Sequence, residues 1–127
     1  MLDDTTRQLA QGRNFAALTT LLPDGRPMTQ IMWIDADDEH IIFNTEIHRQ
    51  KFTNVGHDPR VTVAIIDADN PYHYAEVRGH VVETITGPDA RAHIDALSQR
   101  YNGAPYANPI TSERVIVKVR PDRVRVQ

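Results

Sequence analysis

Apolar positions recur along this chain in short runs and alternations, punctuated by clusters of Pro, Gly, Asp and Asn. The spacing is mostly that of strands, with a period of two, and only locally that of helices. Phe15 to Leu22 and Met28 to Ile34 flank Pro23-Asp24-Gly25-Arg26-Pro27. In that turn proline presets one backbone angle and glycine supplies a positive one, so the pair predicts a hairpin. A third strand is expected over residues 40–46, after the polar turn Asp35-Ala36-Asp37-Asp38-Glu39, and a fourth over 60–67. The fifth is long, from Tyr72 to about Ile85: Ala75, Val77 and Val81 face one way, Glu76, Arg78 and His80 the other. Gly79 in its middle predicts a bulge or sharp bend. Val115, Val117 and Val119 alternate with Arg114, Lys118 and Arg120, which predicts a last strand with one wet face.

Helical spacing appears in three places. Residues 3–13 suit a short helix, with Asp3 and Asp4 in its first turn and Gly12 near its end. The connector His48-Arg49-Gln50-Lys51-Phe52-Thr53-Asn54-Val55, closed by Asp58-Pro59-Arg60, predicts a second. Thr86-Gly87-Pro88-Asp89 offers a capping threonine, an early proline and an early acid. Ala90, Ile94, Leu97 and Tyr101 then fall on one stripe, and Asn102-Gly103 marks the stop. The order is helix, β, β, β, helix, β, β, helix, β. Hairpins dominate and βαβ alternation is absent. The expected fold is therefore mainly β (α+β): a six-stranded antiparallel split β-barrel with peripheral helices, in one domain spanning residues 1–127.

Composition narrows the chemistry. With 127 residues and 40% hydrophobic content the chain can bury a core without staples. It has no cysteine, so disulfides, thiolate metal sites and a cysteine nucleophile are excluded. A net charge of −3 argues against a nucleic-acid or membrane-surface binder, so any anion site must be local. No apolar run approaches a membrane span, and the acidic start Met1 to Thr6 lacks the pattern of a secretory signal, so a cytoplasmic protein is expected. The six histidines show no zinc spacing, and no metal is expected. Ser98 and Ser112, the only serines, lack the context of a hydrolytic nucleophile.

The connector carries the sharpest signal. Arg49 and Lys51 stand in the first turn of its helix. A helix start is the positive end of the macrodipole, where a cation is unfavourable by roughly 0.3–1 kcal/mol. Free backbone N–H groups at the same spot favour an anion. Two cations there make sense around a phosphate, with Arg49 gripping two oxygens and Lys51 acting as a point charge. Asn44-Thr45, at the end of the preceding strand, are placed to donate to the same anion. The alternative is a solvated basic face paired with Glu46. Arg120, Arg123 and Arg125 in the tail could reach a partner subunit's ligand or protect an exposed strand edge.

The motif Arg49-x-Lys51-x-x-Asn54-Val55-x-x-Asp58-Pro59-Arg60 between two strands resembles the split-barrel flavin-binding superfamily of pyridoxamine 5′-phosphate oxidase. More narrowly it is similar to the superfamily's small F420-dependent branch, which uses a deazaflavin. Asn70 to Gly79, Phe15 to Thr20 followed by Asp24-Gly25-Arg26-Pro27, and Glu113 to Val119 extend the likeness over nearly the whole chain. The resemblance implies a homodimer with two cofactor sites at the interface. It places the cofactor phosphate against Arg49 and Lys51, and the ring along Gln30, Ile31, Met32 and Trp33 and along Phe43, Asn44 and Thr45. Tyr72 and His73 would cover the ring from the partner chain. Members that oxidise pyridoxamine phosphate carry a basic substrate-binding segment at the C-terminus that the sequence up to Gln127 does not show, so another substrate is expected. The expected activity is hydride transfer from reduced coenzyme F420 to a small organic acceptor, with no dedicated catalytic residue. FMN chemistry on the same clamp, a flavin-storage module and haem binding are the alternatives.

Overall fold

In the computed structural model, which describes residues 1–127, three helices surround one sheet. The elements are α1 (Asp4–Gln11), β1 (Phe15–Leu21), β2 (Pro27–Trp33), β3 (Asp35–Ala36), β4 (Ile41–Glu46), α2 (Gln50–His57), β5 (Arg60–Asp67), β6 (Asn70–Thr86), α3 (Pro88–Asn102) and β7 (Arg114–Val126). The seven strands lie in the order β2-β1-β5-β6-β7-β4-β3, and every neighbouring pair is antiparallel. The outermost strands β2 and β3 are consecutive in the chain, with only the buried Ile34 between them. One residue cannot span an open seven-stranded sheet, so the sheet curls until its two edges nearly meet. This is the split barrel, with seven strands rather than the expected six.

The extra strand comes from the acidic run. Asp35 and Ala36 pair with Ile42 and Ile41 instead of turning. Ala36 is buried, and Asp35 is drawn inward by His93 and Arg100. The turn begins only at Asp37, whose carboxylate accepts from the backbone N–H of Glu39 (2.8 Å) and of His40 (2.6 Å). Burial opposes ionisation of Asp37, but these amides and the His40 ring outweigh it and hold the carboxyl at about 2.

The barrel interior holds one core in which Leu18, Ile34, Ile41, Phe43, Val63, Ile65, Val77, Val117 and Val119 are sealed from solvent. Each such side chain contributes roughly 1.5–3 kcal/mol on burial. Leu2, Leu9 and Ala10 bring α1 onto this core, and Val55 brings α2. The expected wet face of the last strand is only half wet. Ile116 lies under α3 with Ile42, Ile85 and Ala90, because the helix returns across β4 and β7. Beyond Arg120 the strand continues to Val126, paired with β6 alone, so Arg123 and Arg125 stand on a free edge opposite Arg78 and Glu76.

Two glycines shape the turns of this frame. A Cβ on Gly79 would lie 2.3 Å from the Arg120 carbonyl oxygen, and the β6–β7 register shifts there, as the expected bulge requires. Gly87 has φ 84° and caps α3 without any side-chain bond, whereas Thr86 remains in β6 opposite Val115. The capping role expected of Thr86 therefore falls to a glycine that can take the left-handed angle. No helix is long and apolar enough to cross a membrane.

Candidate cofactor site

The start of α2 is fixed from beneath. Asn54, fully buried, donates from Nδ2 to Thr20 Oγ1 of β1 (2.9 Å) and accepts from Gln50 Nε2 (2.8 Å). The backbone N–H of Arg49 donates to the Glu46 carbonyl (3.0 Å), and the Arg49 carbonyl accepts from Phe52 N (3.1 Å). Arg49 is the N-cap residue, no side chain caps the helix, and its first turn has no acid. The N–H groups of Gln50 and Lys51 have no backbone acceptor. The helix thus presents free amides and two cations at one corner, the anion-favouring arrangement anticipated from the motif.

That corner opens on a cavity of about 360 Å³ between the two margins of the curled sheet. Its polar end consists of Asn44, Thr45, Arg49, Lys51, Asn108 and Arg114. Its apolar end consists of Phe15, Ile31, Met32 and Trp33 from β1 and β2, Ile94 and Leu97 from α3, and Tyr106 from the following loop. Trp33 stacks on Tyr101 at 5.0 Å with 6° between the rings and meets Tyr106 edge-on at 6.3 Å. The aromatic wall is stacked on α3 on one side and turned toward the loop on the other.

The charges around the cavity are unevenly matched. Lys51 Nζ donates to Gln30 Oε1 (2.9 Å) and has no carboxylate partner; Arg49 has none either. Burial, followed by the nearby charges of Arg49 and Arg114, lowers the Lys51 pKa. Glu46 does not neutralise either residue. It is 2% exposed and accepts from the amides of Thr111 (2.8 Å) and Ser112 (2.7 Å). Burial disfavours its charge, yet these amides and Arg114 outweigh that and lower its pKa. The loop carrying Tyr106 and Asn108 is anchored at its far end by this carboxylate, and near its start by Tyr106 N donating to Asp95 (3.0 Å).

Behind the polar end runs a linked row of side chains. Arg114 Nε donates to Asn44 Oδ1 (2.8 Å). The Asn44 amide donates to the Ala90 carbonyl and to His93 Nδ1, both at 3.0 Å. His93 Nε2 meets Asp35 (2.9 Å), which also receives Arg100 (2.7 Å). Since Nδ1 accepts from an amide, the proton of a neutral His93 sits on Nε2 and points at the carboxylate. Burial opposes the charge of Asp35, but His93 and Arg100 prevail and lower its pKa.

Of the residues expected around a cofactor, Ile31, Met32, Trp33, Asn44, Thr45, Arg49 and Lys51 line this one cavity. Gln30 adjoins it through Lys51. Phe43 does not: it is 0% exposed and its ring belongs to the barrel core, because neighbouring strand residues face opposite ways. Tyr72, 79% exposed, and His73, bonded to Asp67 (2.9 Å), sit at the β5–β6 turn, away from the cavity of their own chain. Arg114, Tyr106, Asn108, Phe15, Ile94 and Leu97 were not anticipated at the site. Ile94 and Leu97 carried a visible signal, the helical stripe, but it indicated only burial. Arg114 seemed to belong to a wet strand face, and nothing local distinguishes it from Lys118 or Arg120.

The family model for pyridoxamine 5′-phosphate oxidase matches residues 2–127. This chain belongs to that family. Among solved structures, an F420 reductase is 34% identical, with each chain covered to 98% and a TM-score of 0.84. A conserved hypothetical protein from Mycobacterium tuberculosis is 24% identical, covering 99% of this chain and 84% of that one, with a TM-score of 0.74. A putative pyridoxamine 5′-phosphate oxidase from Listeria innocua is 20% identical, covering 93% and 90%, with a TM-score of 0.69. These last two share the fold. No curated protein matches the chain. In this member of the oxidase family the Arg49/Lys51 corner and the apolar wall line one cavity.

Proposed function

We propose that this protein is an oxidoreductase that binds coenzyme F420 and passes a hydride from its reduced form to a small organic acceptor. The observation that carries the reading is the pairing, in one cavity, of unneutralised Arg49 and Lys51 at a helix start with a wall of Ile31, Met32 and Trp33. The cations and free amides fit a phosphate, and the apolar wall fits a planar ring. The bound coenzyme supplies the hydride chemistry; the protein binds, orients and shields it. Lys51 and Arg49 hold the phosphate. Thr45 stands beside it, whereas Asn44, expected to donate there, spends its amide on the Ala90 carbonyl and His93 and its oxygen on Arg114. Trp33, braced by Tyr101, faces the ring. Membership of the oxidase family and the 34% identity to an F420 reductase favour redox chemistry with a flavin or deazaflavin.

We also propose that the protein works as a homodimer in the cytoplasm. Phe15 and Ile31 are 50% and 67% exposed beside the cavity, and across the outward face Ile31, Ala17 and Ala64 form one apolar row ending at Glu76, with Phe15, Ile66 and Tyr74 forming a second, bulkier one. A second copy laid on this face would cover the cavity mouth, and Tyr72 and His73 of that copy would be candidates for the cover.

Parallel titration of the dialysed protein with F420 and FMN tests the reading. Tighter binding of F420, followed by oxidation of reduced F420 when quinones or enones are added, is the expected result. Tight binding of FMN alone would move the protein to FMN chemistry on the same clamp. Binding of neither would sink the cofactor assignment. Sedimentation at micromolar concentration checks the dimer: a monomer mass would refute it.

A further inference from the structure

Arg114 is a cation that the reading above leaves unused. It opens β7, is only 9% exposed, and lines the cavity together with Arg49 and Lys51. One edge of its guanidinium is planted: Nε donates to Asn44, and Cζ lies 5.3 Å from the centre of the Tyr106 ring. Glu46 is 3.6 Å from Nη1, too far for a hydrogen bond, and its other oxygen already accepts two loop amides. The terminal nitrogens therefore have only this long ion pair with Glu46 and the neighbouring Tyr106 on the protein side. Arg114 lines the cavity, so a ligand there lies within reach of its guanidinium. A largely buried guanidinium with one long ion pair gains from a second, closer anion.

The charge count agrees. Arg49, Lys51 and Arg114 face one carboxylate, Glu46, leaving an excess of two positive charges at one end of the cavity. Lys51 and Arg114 both have lowered pKa values, for burial first; the neighbouring cations add to this, while Tyr106 and Glu46 offset it at Arg114. We propose that Arg114 is a third anion-binding residue of this site and that the ligand brings two negative charges to it. A phosphate monoester carries both; a phosphodiester with a neighbouring carboxylate divides them. The proposal rests on the cofactor reading and adds the residue and the charge that the cofactor must satisfy.

The test compares ligands with and without phosphate on the full-length protein. Wild type, R114Q and R114K are titrated with FMN, riboflavin and F420. R114Q is expected to weaken FMN or F420 by about tenfold or more, the loss of one charge-assisted contact, while changing riboflavin by less than about twofold. A loss confined to FMN places both charges on one monoester, and a loss seen with F420 extends the site to the divided pair. Equal loss for FMN and riboflavin would overturn the proposal, since Arg114 would then only support the fold. Unchanged binding of both FMN and F420 would overturn it as well. If R114Q does not fold, R114K keeps the charge without the fork, and a several-fold loss confined to the phosphorylated ligands is expected; equal losses again refute it. If wild type binds neither coenzyme, the cofactor reading fails and inorganic phosphate decides Arg114 separately. A phosphate-dependent rise in Tm that R114Q loses supports the role, and no rise in wild type refutes it.

Discussion

Two polar clusters flank β4, and they are built on opposite rules. In the Asp35–His93–Arg100 cluster every group has a partner: the carboxylate receives both neighbours, and Arg100 also donates to the Ile34 carbonyl at 2.9 Å. At the start of α2, Arg49 and Lys51 have no carboxylate and lie close enough to Arg114 to depress the Lys51 pKa. The first cluster ties α3 to β3 and holds the fold together. The second withholds some stability, and a ligand with the missing charge would restore it. Matched charges mark a structural group, while like charges gathered beside a cavity without a carboxylate mark a functional one.

The largest effect expected from breaking this contrast is on the matched side. Asp35→Ala should destabilise the protein by about 3 kcal/mol, since it leaves Arg100 and His93 without their shared acceptor. Urea unfolding would show it, and a loss below half that size would mean the cluster is better solvated than its geometry implies. On the unmatched side, Lys51→Ala should weaken coenzyme binding by about 1.5–3 kcal/mol if Lys51 makes a charge-assisted bond to phosphate. The unliganded variant should be no less stable than wild type, because it relieves like-charge crowding. Unchanged affinity by titration would refute the clamp.

The pH responses should also be opposite. Asp35 has a folded pKa below its ordinary 3.8, so its stabilisation is complete above that value and is lost as pH falls through the folded one. Lys51 has a folded pKa below its ordinary 10.5, so its protonated form costs stability in the free protein. A bound anion raises that pKa again, so coenzyme affinity should fall as alkaline pH removes the Lys51 proton. An affinity that rises with pH in that range would contradict the assignment. The smallest effect is expected at Arg60, whose exposed side chain pairs with Asp58 at the surface: Arg60→Ala should leave both Tm and coenzyme affinity unchanged within error.

Much of this was legible locally. Alternation located β1, β2, β4, β5 and β6, Gly79 announced the bulge, and Arg49 and Lys51 stood out against the helix dipole. Each of those signals is carried by residues adjacent in sequence. The failures share another feature. Asp35 became a strand residue because His93 and Arg100, on a helix more than fifty positions away, claim its carboxylate. Ile116 is buried because α3 returns over it, and Thr86 lost the cap to a glycine whose φ is set by the strand-to-helix corner.

The order of residues alone determined that this would be a small curled sheet with an anion-favouring corner at the connector after the third expected strand, which the structure numbers β4. It could do so because pleat, turn chemistry and helix polarity depend on near neighbours. Tertiary structure decided which other groups share that corner. Arg114 lies more than sixty positions from Lys51 and enters the cavity only because β7 pairs with β4 and Asn44 takes hold of it. Charge acts through space, and only the folded chain brings the third cation within range.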